Sequence, residues 1–313
     1  MVHNRKIQQI ADEVEKVIVG KREVVTMLLI VLLSGGHVLV EDVPGTGKTT
    51  LANAMGKAAG LVSRRAQFTP DVTASDITGF TMYNRETNSF EYRQGLVMTN
   101  ILLADEINRA TPKTQSALLE AMEEQTVTVD GISHRLPEPF MVIATQNELG
   151  YVGTFPLPEA QLDRFMMKIS MGYPTIEQEV AIIASRQRTD PLELIIPTCT
   201  KNDITEAREE VKQTNIEPSV YRYIVEITAG TRMHPAVELG ASPRASLALM
   251  RAAQSYAFLN SRAYVVPEDV LRMTPYVLPH RLRLTQEAKV KRISTMDILK
   301  DVIKTVKPPF TRG

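Results

Sequence analysis

Cysteine and net charge are both scarce in this sequence of 313 residues. Cys199 is the single cysteine, which excludes an internal disulfide and a cysteine metal cluster and is typical of a reducing compartment. The 36 Lys and Arg side chains balance the 36 Asp and Glu side chains. The chain therefore has no net basic charge that would attract nucleic acid or a membrane surface.

Long apolar segments are also missing. The longest apolar run, Met27 to Leu33, is far shorter than the roughly 20 residues that a membrane-spanning helix needs. No signal-peptide pattern follows Met1, so we expect a soluble cytoplasmic protein without a membrane span. The length suits two domains and a sizeable core.

A glycine-bearing loop lies between an apolar segment and a predicted helix. Gly45 and Gly47 let the backbone approach phosphate oxygens, and Lys48 would bring a positive charge to the terminal phosphates. The Thr49 hydroxyl would hold Mg²⁺. This Walker A pattern predicts ATP and Mg²⁺ as cofactors. Its predicted nucleotide-binding residues are Asp42, Val43, Pro44, Gly45, Thr46, Gly47, Lys48, Thr49 and Thr50.

The loop departs from the usual pattern at one position. Asp42 stands where the first glycine is expected. Aspartate tolerates unusual backbone angles, and the Pro44-Gly45 pair still marks a tight turn. We therefore keep the assignment as a phosphate-binding loop.

The segment from Asn100 to Glu106 is an apolar strand that ends on two carboxylates. A strand that is apolar on both faces is typical of a parallel sheet covered by helices. Beside the phosphate loop, Asp105 would position Mg²⁺ and Glu106 would polarise the attacking water. An acidic pair at a strand end is often only solvated, but together with the first motif this Walker B pattern indicates an ATPase.

The next apolar strand, Phe140 to Thr145, ends at two amide side chains. The amide of Asn147 could orient the lytic water near the terminal phosphate. Its alternative role is to cap a loop.

Two hairpins interrupt the alternation of strands and helices. The first pairs 79–83 with 90–93, and the second pairs 126–129 with 133–136 around Asp130-Gly131, which is a strong turn signal. The remaining alternation predicts a doubly wound α/β sheet.

Strand signals fade after Pro174, and we place a domain boundary there. Residues 1–174 would form the nucleotide-binding core, and residues 175–313 a smaller all-α lid. In the lid, Asp203 with Glu206 predicts the start of one helix.

Two further lid helices are predicted from their ends. An apolar stripe that begins at Val220 stops at Gly230, where we expect the helix to end. Ser242-Pro243 predicts the start of the next helix.

Several longer segments resemble the MoxR family of AAA+ ATPases across nearly the whole chain. They are Leu-Leu-Ala-Asp-Glu-Ile-Asn-Arg-Ala at 102–110, Thr-Gln-Ser-Ala-Leu-Leu-Glu-Ala-Met at 114–122, Ala-Thr-Gln-Asn at 144–147, Leu-Pro-Glu-Ala-Gln-Leu-Asp-Arg-Phe at 157–165 and Ser-Pro-Arg at 242–244. The resemblance implies an AAA+ core with a helical lid, and a homo-oligomeric ring, usually hexameric, with nucleotide pockets between subunits.

The resemblance also implies roles for single residues. Asn147 would be the sensor 1 residue. Arg164 would be the arginine finger that reaches into the adjacent subunit's site, and Arg244 would be sensor 2, acting on the nucleotide of its own subunit. Arg109 is a second candidate for the finger.

The implied function is Mg²⁺-dependent ATP hydrolysis coupled to remodelling or maturation of a partner protein complex. MoxR relatives pair with proteins that carry a von Willebrand factor A domain, so a partner of that class is expected. The alternatives are a DNA motor of the helicase clade, which the zero net charge argues against, a magnesium chelatase-type motor subunit, and a binding module that uses ATP only as an assembly switch.

Overall fold

The computed structural model describes residues 3–41, 45–146, 154–187 and 190–309. The predicted site residues Asp42, Val43, Pro44 and Asn147 lie outside these ranges.

Helices and strands alternate in the first half of the described chain, and helices dominate the second half. The helices are α1 (Asn4–Glu15), α2 (Arg22–Ser34), α3 (Lys48–Ala58), α4 (Ala74–Thr78), α5 (Pro112–Glu124), α6 (Glu159–Leu162), α7 (Ile176–Ser185), α8 (Lys201–Lys212), α9 (Pro218–Met233), α10 (Pro243–Leu259), α11 (Pro267–Val277), α12 (Gln286–Val290) and α13 (Thr295–Thr305). The strands are β1 (Val38–Glu41), β2 (Ser63–Gln67), β3 (Gly79–Asn84), β4 (Ser89–Gln94), β5 (Ile101–Asp105), β6 (Thr126–Val129), β7 (Ile132–Arg135), β8 (Met141–Gln146), β9 (Met167–Ile169), β10 (Val237–Leu239) and β11 (Arg283–Leu284).

A five-stranded parallel sheet in the order β2-β5-β8-β1-β9 forms the centre of the core. This order confirms the predicted doubly wound fold. It brings the carboxyl ends of β1, β5 and β8 to the same edge, because parallel strands end on the same side of a sheet. Ligands of open α/β sheets bind at that edge.

Alternate residues of each central strand pack on opposite faces of the sheet. Val38 and Val40 of β1 join one apolar cluster with α1, α2 and α3, whereas Leu39 joins the other cluster with α5. Both clusters are buried, which explains why the strand sequences are apolar throughout rather than alternating.

His37 fixes the start of β1 from inside the core. Its Nδ1 accepts the backbone N–H of Val142 at 3.0 Å, and its Nε2 donates to the carbonyl of Met122 at 3.0 Å. The ring is buried, and burial lowers the pKa of His37 from 6.5 to about 4. The neutral imidazole thus ties the end of α5 to the sheet.

Both predicted hairpins are present: β3 pairs with β4, and β6 pairs with β7. They contact each other through Tyr92 and His134, whose rings stack with centroids 3.9 Å apart. Phe80 and Phe90 of the first hairpin are exposed.

The second half of the chain is mainly helical. It also contains one short strand pair, and two predicted helix ends are wrong. A short antiparallel pair, β10 with β11, accompanies the helices. Helix α8 begins three residues earlier than predicted, because Thr200 is the N-cap and Asp203 completes a capping box with it. The capping signal was present, but it was assigned one turn too late.

Helix α9 continues through Gly230 to Met233 instead of ending at the glycine. A Cβ atom at position 230 would lie 2.7 Å from Cγ1 of Val302 in α13. The glycine therefore serves close helix packing rather than termination. The predicted helix start at Ser242 is confirmed, since its hydroxyl accepts the N–H of Ala245.

The second half packs on the first through α1 and α2. One apolar cluster runs from Ile7 and Leu28 into Ile204, Leu249 and Phe258 of the later helices. The boundary near residue 174 stays a prediction. Among the described residues, no helix has the length and apolar character of a membrane span.

Candidate functional site

A cavity of about 610 Å³ lies at the carboxyl edge of the sheet. It brings together the two motifs that are more than fifty residues apart in the sequence. Its lining includes Gly45, Thr46, Gly47, Lys48, Thr49, Thr50, Asp105 and Glu106.

The described part of the phosphate loop has the backbone shape that the sequence predicts. Gly45 has φ +85° and Gly47 has φ +88°, a left-handed conformation that favours glycine. Lys48 is the first residue of α3, so the N-terminus of this helix opens into the cavity. Backbone N–H groups and the helix dipole there suit an anion.

Asp105 ends β5 with both carboxylate oxygens engaged. Oδ1 accepts the hydroxyl of Thr145 at 2.6 Å, and Oδ2 pairs with the guanidinium of Arg65 at 2.8 Å. Arg65 belongs to the neighbouring strand β2. The carboxylate is therefore held in one orientation beside the phosphate loop.

Glu106 adopts a left-handed backbone conformation, with φ +58°, which is uncommon for a residue with a side chain. Its N–H donates to Thr145 Oγ1 at 2.9 Å, and its Oε2 pairs with Arg109 at 2.8 Å. Such strained residues are concentrated at functional sites. Arg109 thus contacts the carboxylate of its own chain.

An apolar part of the cavity lining comes from two distant segments. Val17, Ile18 and Val19 follow α1, and Ile182 and Ile183 lie on α7. A polar phosphate end and an apolar wall together suit a nucleotide, whose flat base is the less polar part.

Lys21, which also lines the cavity, connects two segments of the chain. Its ammonium group donates to the carbonyls of Met171 at 2.5 Å and Tyr173 at 3.0 Å. These bonds hold the segment after β9 against the start of α2. The cavity wall is thereby built from both ends of the core.

The end of β8 is described only as far as Gln146. Its amide donates to Oε1 of Glu41 at 2.6 Å, and Glu41 also pairs with Lys168. Burial lowers the pKa of Lys168. The proposed sensor, Asn147, is the next residue and lies outside the described ranges.

Neither of the two predicted arginines lines this cavity. Arg164 and Arg244 instead share one carboxylate: Glu123 pairs with Nε of Arg164 at 2.9 Å and with a guanidinium nitrogen of Arg244. Arg164 lines a separate surface depression along α5 and β6. The start of α10 packs beside Arg164, and the role of Arg244 toward the nucleotide of its own subunit stays a prediction.

Three cationic residues that line the cavity were not predicted from the sequence: Lys21, Arg65 and Arg186. Each is an ordinary charge in its local sequence. Arg65 reaches the site only because β2 lies next to β5, so that Gln67 is in register with Asp105. Strand order of this kind is not visible in one sequence.

The donor set fits a magnesium ion that is held together with phosphate. Thr49 and Asp105 offer hydroxyl and carboxylate oxygens on the same cavity. Across the residues that the structure describes, no group of three or more His, Cys, Asp or Glu could hold a metal. Mg²⁺ in nucleotide sites typically uses one or two protein oxygens, with phosphates and water completing the shell.

Comparison with known proteins agrees with this geometry. Residues 37–167 match the ATPase family associated with various cellular activities (AAA), and residues 229–302 match the AAA lid domain. The chain is 50% identical to the uncharacterized protein YeaC of Bacillus subtilis, over 96% of this chain and 94% of that protein.

Two further relatives extend the comparison. Chaperone MoxR1 of Mycobacterium tuberculosis is 41% identical, over 95% of this chain and 81% of that protein. The crystal structure of a candidate ATPase from Cytophaga hutchinsonii superposes with a TM-score of 0.91 at 39% identity, covering 98% of this chain and 96% of that one.

Proposed function

We propose that this chain, which belongs to the MoxR family of AAA+ ATPases, hydrolyses ATP with Mg²⁺ in a ring of identical subunits. The observation that supports the ring is that the two predicted arginines lie outside the lining of the phosphate cavity. Arg164 and Arg244 line no part of that cavity.

Within one subunit, the cavity would bind the nucleotide and activate water. Lys48 and the start of α3 would hold the phosphates, and Thr49 with Asp105 would hold Mg²⁺, which supplies charge neutralisation on the phosphate oxygens. Glu106 would accept the proton of the attacking water. Thr145 supports this arrangement by contacting both carboxylate residues.

Charge that develops on the transferred phosphoryl group needs further stabilisation from cations. We propose that Arg164 and Arg244 supply it to the nucleotide of the neighbouring subunit. This revises the sequence-based role of Arg244, which was assigned to its own subunit. The shared contact with Glu123 supports a common target for both arginines.

Hydrolysis would be coupled to movement of a partner protein complex. Contacts to the terminal phosphate exist only before hydrolysis, so the arginine-bearing surface and the lid would shift between the ATP and ADP states. The name of the Mycobacterium tuberculosis relative, a chaperone, supports remodelling or maturation of a partner. We propose a partner with a von Willebrand factor A domain and a cytoplasmic location, where ATP is supplied.

Mixing inactive variants tests the ring. Arg164→Ala and Lys48→Ala subunits are each expected to be inactive alone. In mixed assemblies, a pocket with an intact Lys48 can face a neighbour with an intact Arg164, so activity should return. The measurement is the ATPase rate as a function of the mixing ratio.

The matched control mixes Lys48→Ala with Glu106→Gln, whose defects both lie in the pocket of their own subunit. These mixtures should stay inactive at every ratio. If the Arg164→Ala mixtures behave like this control, or if a subunit that never associates hydrolyses ATP at the full rate, the proposed ring mechanism is wrong.

A further inference from the structure

Glu123 is the meeting point of two arginines that come from different parts of the fold. Its Oε2 contacts Nε of Arg164 at 2.9 Å, and its Oε1 contacts Arg244. Arg164 follows α6 and precedes β9 of the central sheet, whereas Arg244 lies in the first turn of α10. Glu123 itself sits in the last turn of α5. Three separate elements thus converge on one carboxylate.

A second carboxylate, that of Asp163, also joins the segment that carries Arg164 to the start of α10. Asp163, next to Arg164 in the chain, accepts the hydroxyl of Ser242 at 2.8 Å and Nε of Arg281 at 2.7 Å. Ser242 is the N-cap of the helix that carries Arg244. The segment that carries Arg164 and the start of α10 are therefore bound to each other, one position from Arg164 and two positions from Arg244.

Arg281 holds the segment 163–166 in place. Its side chain is only 2% exposed, and it also donates to the carbonyls of Phe165 at 2.6 Å and Met166 at 3.1 Å. Burial lowers the pKa of Arg281, while Asp163 opposes this shift. A buried guanidinium with several acceptors holds its partners more firmly than an exposed pair does.

Two guanidinium groups at one place repel each other unless a negative charge lies between them. Glu123 supplies that charge at the surface, where its side chain is 34% exposed. The contact to Glu123 uses one N–H of each guanidinium, and a guanidinium has five. The remaining donors of the pair are sufficient for phosphate oxygens.

We infer that Glu123 is a positioning residue for hydrolysis in the neighbouring subunit: it holds Arg164 and Arg244 together as a single two-arginine unit. The inference rests on the proposed function, in which both arginines act on the neighbour's nucleotide. The unit keeps a net positive charge, because one carboxylate offsets only one of the two guanidinium charges.

The test removes the charge of Glu123 but keeps the size and shape of the side chain. Glu123→Gln should lower kcat of the assembled protein by about tenfold to a hundredfold, since misplacing a catalytic group by about 1 Å costs on that order. KM for ATP should stay within about twofold, because the nucleotide pocket of the same subunit is untouched. Glu226→Gln, which removes an exposed charge on α9 outside the depression that Arg164 lines, is the matched control and should behave as wild type.

Two further measurements separate positioning from a general structural defect. Urea unfolding of Glu123→Gln should have the same midpoint as that of the wild type, because ion pairs of partly exposed side chains contribute little to stability. Mixtures of Glu123→Gln with Lys48→Ala subunits should regain activity, because the defect lies on the donor side of the interface. Glu123→Ala, as a second variant, should reproduce the loss of kcat.

The outcomes distinguish this inference from the function on which it rests. If Arg164→Ala and Arg244→Ala are inactive but Glu123→Gln matches or exceeds the wild-type rate, then Glu123 does not position them and the ring mechanism stands. If both arginine variants hydrolyse ATP normally, the proposed mechanism fails, and the role of Glu123 fails with it.

Discussion

The hydroxyl of Thr145 donates a hydrogen bond to Oδ1 of Asp105 at 2.6 Å. The hydroxyl oxygen of Thr145 in turn accepts the backbone N–H of Glu106 at 2.9 Å. One buried threonine on β8 therefore orients both carboxylate residues at the end of β5. This contact couples two strands that are adjacent in the sheet but about forty residues apart in the chain.

Thr145→Val keeps the side-chain volume and removes the hydroxyl. We expect kcat to fall by about tenfold to a hundredfold, because Asp105 and Glu106 lose their orientation. The unfolding free energy should fall by about 1–3 kcal/mol, since the N–H of Glu106 loses its acceptor. Steady-state kinetics and urea unfolding measure the two effects. Thr145→Ser keeps the hydroxyl and should retain most of both; equal losses in the two variants would contradict this role.

Glu106→Gln keeps the size of the side chain but cannot accept a proton from water. ATP binding should be retained, while turnover should fall by about a hundredfold to ten-thousandfold. Binding of a fluorescent ATP analogue and single-turnover hydrolysis separate the two steps. Hydrolysis at the wild-type rate would remove Glu106 from the role of general base.

His37 makes the stability of the fold depend on pH. The folded protein keeps this ring neutral down to about pH 4, whereas the unfolded chain binds a proton below 6.5. The stabilisation is complete above the unfolded pKa and is lost as the pH falls toward the folded pKa. Between about pH 7 and about pH 5, His37 should account for a loss of about 2 kcal/mol in unfolding free energy.

Urea unfolding of the wild type and of His37→Gln at both pH values tests this. The variant should be less stable at neutral pH, because it cannot reproduce both buried hydrogen bonds, but it should lose less stability on acidification. His280, whose pKa burial lowers well below 6.5, contributes a slope of the same sign to both proteins. Parallel pH profiles would contradict the assignment to His37.

Gly230→Ala should raise the helix propensity of α9 but introduce a steric conflict with α13. Propensity alone predicts a gain of about 0.5–1 kcal/mol inside a helix. The added methyl group would meet Val302 at 2.7 Å, so we expect a net loss of about 1–2 kcal/mol. Adding Val302→Ala should make room for the methyl group, so that the double variant is more stable than the sum of the single effects. A stabilised single variant would refute the packing argument.

Much of the core could be predicted because its signals are local. The apolar strands, the glycine loop, the Asp130-Gly131 hairpin and the capping residues each act within a few positions of the chain. The missed end of α9 had a different cause. Gly230 is a stop signal by local rules, and only the packing of α13 shows why a glycine is needed inside the helix.

The sequence by itself determined the parallel core, the phosphate loop and the acidic strand end, because short-range spacing and backbone freedom specify them. Only the tertiary structure decided that Arg65 meets Asp105, and that Arg164 and Arg244 meet at Glu123 away from the nucleotide cavity. Those contacts depend on strand order and on the docking of α10. Such long-range relations arise from burying a shared apolar core, and no short pattern of residues encodes them.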